Sequence, residues 1–405
     1  MRKIDPSRFR IATQGTSREI NRRIALNLVR AHQPISRADL ARAMGVRRGT
    51  ASLIVRDLLK KRLIFEGATG EAVRGRKPTF LYVESRRRSV VAVDLRASKT
   101  FLMLADLLGN PVAVVGFPIA SDPKLLVTTL ARRIKAILAE HSDFEACEGL
   151  GVAVPGVIEP TTMRVLHAPT LGWRNVDLRE PLAAATGLAV HIENSGRACA
   201  LAQLWTMRDE LPAGGDLVFV TVSDGLGGGV VVQGEVLRGR HNLAGEFGHL
   251  TLALDGPRCS CGAVGCWEAY VSNRATLARY FGRAAEPSGP LPPDQRDFTI
   301  EDLIARARKD DAKAAAAIQA TARYLGLGLA NVVNVVDPAR VYVGGEITAA
   351  WDLIGSTVRA ALAERALTPA AAAVTITPVK AGDYPRLRGA AALVTAPAFA
   401  APVVA

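Results

Sequence analysis

Apolar residues recur at helical spacing through the first sixty residues of this chain and at strand spacing after that. In "NRRIALNLVRAHQPISRADLARAMGVRRGTASLIVRDLLKKRLI", residues 21–64, Ile24, Leu28 and Val29 form one stripe, Leu40 and Met44 a second, and Ala51, Ile54, Val55 and Leu58 a third. That periodicity predicts three amphipathic helices. Ser36, with Asp39 three residues on, reads as an N-cap with an acidic third position, and Gly45 supplies the turn between the second and third helices. The following "LIFEGATGEAVRGRKPTFLYV" reads as strand, polar glycine-containing turn and strand. From residue 89 the texture changes. Apolar runs such as "VVAVDL", "FLMLADL", "LVFVTVS" and "VTITPV" alternate with amphipathic stretches such as "LLVTTLARRIKAILAEH", which predicts an α/β architecture. The loop at 285–297, "AEPSGPLPPDQRD", reads as an exposed insertion.

Charge divides the chain at the same place. Residues 1–88 hold 22 Lys and Arg against 7 Asp and Glu, a net of +15, so the rest of a chain whose net charge is +13 carries −2. A solvated basic tail would show the same excess, but not the three apolar stripes. The segment therefore reads as a nucleic-acid-binding module joined to a near-neutral body. Its helix-turn-helix and hairpin resemble the winged helix-turn-helix of bacterial repressors. That geometry places Arg47, Arg48, Thr50 and Ser52, at the start of the third helix, in a major groove, and Arg74, Arg76 and Lys77 of the hairpin in a minor groove. The start of the chain has no apolar signal region, and no apolar run is long enough to cross a membrane, which points to the cytoplasm, where thiols stay reduced.

The body resembles the ROK family of sugar kinases and sugar-responsive repressors. The resemblance is carried by "GLGVAVPGVIE", "GWRNVDLREPL", "IENSGRACALAQLW", "DGLGGGVVVQGEVLRG", "AGEFGHLTL", "CSCGAVGCWE" and "NVVDPARVYVGGE", in that order, over residues 89–397. It implies an α/β chain with the winged helix at 1–83, a linker at 84–89, and a two-lobed actin-like or hexokinase-like (ribonuclease H-like) body. The first lobe is expected at 90–193 with residues 380–402 packing back on it, and the second at 194–379. A sugar cleft between the lobes is implied, formed by Pro155, Gly156, Asn194, Ser195, Glu246, His249 and Glu268.

Three of the five cysteines fall within eight positions, in "CSCGAVGC". With His249, Cys259, Cys261 and Cys266 form the imidazole and three thiolates that a closed tetrahedral zinc site uses, and a single structural zinc per chain is expected. Buried cysteines acting as small hydrophobes would not call for His249 or the intervening glycines, and residues 259 and 261 are too close to bridge comfortably. Glu246 and Glu268 flank the ligands, so one ion would fix both carboxylates, and the second nitrogen of His249 would remain for a sugar oxygen. Cys147 and Cys199 read as core.

Three parts of a ROK kinase depart from pattern. The phosphate loop D-x-G-G-T-K is Asp94, Leu95, Arg96, Ala97, Ser98, Lys99 here, with both glycines replaced. The general base of E-N-D is Ser195, after Glu193 and Asn194, and a serine without an activating partner cannot serve. The second phosphate loop carries Asp224 in place of threonine, and Gly227, Gly228 and Gly229 read as close packing. The expectation is a homodimeric or homotetrameric transcriptional repressor of carbohydrate genes. It would bind operator DNA, sense a sugar by closing its cleft, need no ATP and catalyse no reaction. The alternatives are a DNA-binding sugar kinase and a regulator answering to a protein partner.

Overall fold

The computed structural model describes residues 14–69, 78–207, 216–284 and 298–399. Arg74, Arg76 and Lys77 and the 285–297 loop lie outside them. The N-terminal head comprises α1 (Gln14–His32), β1 (Ile35–Ser36), α2 (Arg37–Ala43), α3 (Arg48–Lys60), β2 (Ile64–Thr69) and β3 (Thr79–Val83), with a small sheet ordered β1-β3-β2. Ser36 caps α2 by accepting from the Asp39 amide at 3.2 Å while its hydroxyl donates to the Asp39 carboxylate at 2.6 Å. Gly45 makes the turn into α3 at φ 64°, a left-handed value that glycine adopts without strain.

The buried stripe of α1 differs from the expected one. Ala25, Leu26 and Val29 are buried, whereas Ile24 is 45% exposed. The helix packs on two surfaces, the head's own core and the Trp205 and Phe399 side chains of the body, and serving both turns its apolar face by one residue.

The first lobe contains β4 (Arg88–Leu95), β5 (Lys99–Asp106), β6 (Pro111–Pro118), α4 (Pro123–Glu140), β7 (Ala146–Val154), β8 (Val157–Ile158), β9 (Val165–Ala168), β10 (Trp173–Val176), α5 (Arg179–Thr186) and β11 (Val190–Asn194). Because β4 begins at Arg88, with Ser89 fully buried, the connection from the head is only residues 84–87. The second lobe contains α6 (Ser195–Thr206), β12 (Leu217–Val222), β13 (Leu226–Val232), β14 (Glu235–Val236), α7 (Glu268–Val271), α8 (Asn273–Phe281), α9 (Ile300–Ala307), α10 (Ala312–Val336), β15 (Arg340–Gly345), α11 (Trp351–Ala363), α12 (Pro369–Ala372) and β16 (Thr375–Pro378). The chain ends on α13 (Pro385–Phe399).

Both lobes use one topology. The sheets are ordered β6-β5-β4-β7-β11 and β14-β13-β12-β15-β16, each an antiparallel meander of three strands extended by two parallel strands. Their central strands are buried on both faces, which is why they read as continuous apolar runs.

The helices that follow the fifth strands are exchanged. α6 leaves the first sheet and packs on β12 and β13 of the second, while α13 leaves the second and packs on β4 and β7 of the first. They meet over small residues. A Cβ at Gly389 of α13 would lie 1.8 Å from the Ala198 carbonyl oxygen of α6, and one at Gly229 of β13 would lie 2.7 Å from the Gly196 carbonyl oxygen. Gly227 and Gly229 thus face α6 where strand and helix approach closely, whereas a Cβ at Gly228 would meet the Gly245 carbonyl oxygen and Phe247.

Two outcomes follow from this packing. Gly389→Ala should lower stability by about 3 kcal/mol or more, read as a shift in denaturant midpoint, because backbone cannot yield as a side-chain tip can. Ser36→Ala should cost about 1 kcal/mol. Ser36 and then Arg42 hold the Asp39 carboxyl below its ordinary pKa, so the contribution of Asp39 is present at neutral pH and is lost as pH falls through that lowered value. The difference between wild type and variant should shrink in acid.

Candidate functional site

The cleft between the lobes is built from strand ends and the loops that follow them. All seven residues expected to face a sugar line it: Pro155, Gly156, Asn194, Ser195, Glu246, His249 and Glu268. Asn194 ends β11 and caps α6, its side-chain oxygen accepting from the amides of Gly196 at 2.8 Å and Arg197 at 3.2 Å. Its amide nitrogen donates to the Gly156 carbonyl at 2.9 Å and lies 3.4 Å from Glu246 Oε1. That network fixes which end of the amide faces which neighbour. Burial pushes the Glu246 carboxyl up, against the opposing pull of His249 and Arg197.

Glu268 joins two loops. Its Oε2 accepts from the Leu226 amide at 2.8 Å and its Oε1 from the Ser260 hydroxyl at 2.8 Å. A Cβ at Gly225 would lie 2.6 Å from Oε2, so only glycine lets this carboxylate reach the strand. Each oxygen keeps lone-pair capacity toward the cleft.

Behind Glu268, the ligand atoms of His249, Cys259, Cys261 and Cys266 all lie within 4.8 Å of one another. The Cys261 and Cys266 sulfurs are 3.8 Å apart, and His249 Nδ1 is 3.7 Å from the Cys259 sulfur. Metal–sulfur bonds of about 2.3 Å at tetrahedral angles separate two sulfurs by about 3.8 Å, which these two pairs match, and the wider spread of the set would draw in around a bound ion. Gly262 and Gly265 sit at φ 96° and 73°, folding the loop around this centre. Burial pushes the thiols of Cys259 and Cys266 up, so a cation is what would hold them as thiolates. Nδ1 faces the cysteines, leaving Nε2 as the nitrogen free to meet a ligand. Cys199 is buried in the core, and Cys147 is half-buried.

The position of the phosphate loop is filled by side chains. Arg96, from the turn between β4 and β5, donates to Asp94 Oδ2 at 2.7 Å and, across the cleft, to Glu346 Oε1 at 2.8 Å. Asn273 donates to Glu346 Oε2 at 3.0 Å, and Arg386, at the start of α13, approaches Asp94 Oδ1 to 3.9 Å. Burial alone would raise the Glu346 pKa, but Arg386 and Arg96 outweigh it and hold the carboxyl below its ordinary range. Asp224, enclosed by the cleft walls and repelled by Glu346, is pushed up. Sequence reasoning missed Arg386, Glu346 and Ser260. Arg386 comes from a segment outside the recognised motifs, whereas Glu346 and Ser260 lie within two of them and carry no local sign of their partners.

On the head, Arg47, Arg48 and Thr50 are exposed at the start of α3 and Ser52 is half-buried one turn on, a disposition open to a duplex.

Residues 90–396 match the profile of the ROK family. The xylose repressor of Bacillus subtilis (strain 168) is 28% identical over 357 residues, covering 88% of this chain and 89% of that protein. The crystal structure of a ROK family transcriptional regulator, a homologue of the E. coli MLC protein, covers 96% of this chain and 98% of that one at 26% identity and a TM-score of 0.77. A ROK family glucokinase from Streptomyces griseus, solved with glucose and AMPPNP, covers 75% of this chain and 98% of its own at 25% identity and a TM-score of 0.63. Similarity to the regulator therefore runs through the head, and similarity to the kinase stops at the body.

Titration with Co²⁺ as a spectroscopic probe should give one thiolate-bound ion per chain, seen as near-ultraviolet thiolate-to-metal charge-transfer bands. Cys259→Ser and Cys266→Ser should each weaken both the affinity and the bands, and the double variant should abolish them. Bands of undiminished intensity in both single variants would place the ion elsewhere.

Proposed function

Because the chain belongs to the ROK family, we propose that it is a sugar-responsive transcriptional repressor whose body binds a carbohydrate and whose winged head binds operator DNA. The observation that carries this reading is the contrast between the two halves of the cleft. The hydroxyl-recognising half keeps Asn194, Glu246, His249 and Glu268 around one opening, whereas the phosphate half is occupied by Arg96 paired with Asp94 and Glu346. The relatives support the same reading, since a xylose repressor and a ROK transcriptional regulator match nearly end to end.

In this mechanism a sugar donates hydroxyl protons to Glu246 and Glu268 and hydrogen-bonds Asn194 and the free nitrogen of His249. His249, Cys259, Cys261 and Cys266 would hold a zinc ion, which would fix the His249 tautomer and brace the loop that carries Ser260 against Glu268. Arg47, Arg48, Thr50 and Ser52 enter the major groove, and Arg74, Arg76 and Lys77 the minor groove. Two heads are needed for a palindromic operator, so the active form is a homodimer or a tetramer of such pairs. If the sugar is the inducer, it binds the state that releases DNA more tightly, by linkage.

The glucokinase likeness favours a second reading, a DNA-binding sugar kinase. Ser195 at the position of the base and the filled phosphate site argue against it. A nucleotide's triphosphate would meet Asp224 and would have to displace Arg96 from two carboxylates.

Three measurements test the proposal. Operator affinity should fall steeply with salt, at a slope of about −0.9 per phosphate contact, and Arg48→Ala should reduce that slope. Thermal shift across a panel of unphosphorylated pentoses, hexoses and amino sugars should show at least one stabilising member, and Asn194→Ala should remove the shift. Purified protein with Mg²⁺-ATP should phosphorylate none of the panel, and measurable turnover would establish the kinase instead.

A further inference from the structure

Two helices run from the cleft to the head, and both end against the same residue. α6 begins at Asn194, whose amide lines the cleft, and reaches Trp205 after about 16 Å of helix at 1.5 Å per residue. α13 begins beside Arg386, which also lines the cleft, and ends at Phe399. The two far ends meet edge to face, with ring centroids 5.3 Å apart, and the Trp205 indole is held by donating to the Leu108 carbonyl at 3.0 Å.

Arg30 of α1 sits on this junction. Its guanidinium carbon lies 3.4 Å from the Trp205 ring centroid and 5.4 Å from that of Phe399, and the same group donates to the Trp205 carbonyl. One turn earlier, Asn27 donates to the Phe399 carbonyl at 2.6 Å, and Arg23 reaches the Pro397 carbonyl at 3.2 Å. On its other side α1 is tied to α3 by Arg22, 2.7 Å from Asp57. A rotation or slide of α6 against α13 therefore moves Arg30, and α1 carries α3 with it.

We infer that Arg30, seated on Trp205 and Phe399, is the clamp that makes the head a rigid extension of α6 and α13 and so conveys the state of the cleft to the DNA-binding surface. The clamp stands on the contacts alone, while its regulatory use rests on the sugar-sensing reading above. A guanidinium over an indole, with a carbonyl acceptor in line, is directional, so small changes at the helix ends are felt as changes in orientation. Packed helices shift between discrete arrangements rather than deforming, which suits them to this task.

Hydrogen-exchange mass spectrometry on the full chain, with neither sugar nor DNA, tests the clamp. Arg30→Met keeps the length of the stem and removes the charge. It should raise exchange of the backbone amides at 26–32, 203–206, 396, 398 and 399 about tenfold while leaving 190–196 unchanged, and Arg30→Lys should have a smaller effect. Unaltered exchange in Arg30→Met overturns the clamp. Should that variant fail to fold, Trp205→Phe, which keeps a weaker ring and loses the bond to Leu108, should show an intermediate rise, and no rise has the same consequence.

The regulatory use is tested with D-xylose, D-glucose and N-acetylglucosamine added separately. A sugar that raises the wild-type melting temperature should also change exchange in α1, and Arg30→Met should keep the melting shift and lose the change in α1. Persistence of that change in the variant overturns the coupling. If none of the three affects wild-type melting or exchange, the sugar-sensing reading and the coupling fall together, while the sugar-free arm still decides the clamp.

Discussion

The exchange of α6 and α13 between the two sheets is the constraint on which the rest of the molecule depends. Each lobe completes its core with a helix delivered by the other, so neither sheet is covered without its partner. The contact is between backbones. Gly389 against Ala198, Gly151 against Ala390 and Gly229 against Gly196 leave no side-chain layer to absorb movement. A pair of helices packed this closely moves as a unit or changes register. Their N-terminal ends stand in the cleft, and their C-terminal ends stand under the head.

Charge pairs occupy one half of the cleft. Glycine at the phosphate loop leaves backbone amides open to an anion, whereas Arg96 fills that space and turns its positive charge to Asp94 and Glu346. Buried ion pairs are stabilising only when desolvation is matched by good geometry and extra hydrogen bonds. Here Asn273 supplies one to Glu346, and Arg386 adds a second positive charge beside Asp94. The network joins the turn after β4, the end of β15, the start of α8 and the start of α13, and therefore spans the lobes.

Opposite that network, rigidity comes from short links rather than from core. Glu268 holds the 225–226 turn to Ser260, and the cluster of one histidine and three cysteines closes the loop that carries Ser260. Trp267, fully buried and donating to the Tyr324 carbonyl at 2.9 Å, pins this loop to α10. A loop fastened at three points holds its carboxylate acceptor in place before any ligand arrives.

The sequence by itself determined the elements whose cause is local. Apolar spacing placed α2 and α3, Ser36 and Asp39 marked the start of α2, and the clustering of three cysteines after His249 disclosed the set that the fold brings together with geometry able to hold a metal, because its members lie within eighteen positions of one another. Motif order also brought the seven cleft residues together. Tertiary structure alone decided which face of α1 is buried, leaving Ile24 exposed, because that choice depends on Trp205 and Phe399, which lie well over a hundred residues away. It alone paired Arg96 with Glu346 across 250 positions, and it alone exchanged the two helices. Periodicity and capping are satisfied within a few residues and leave a readable trace. A charge pair or a helix crossing is satisfied by whatever the fold brings alongside, and nothing in the neighbouring sequence need record it.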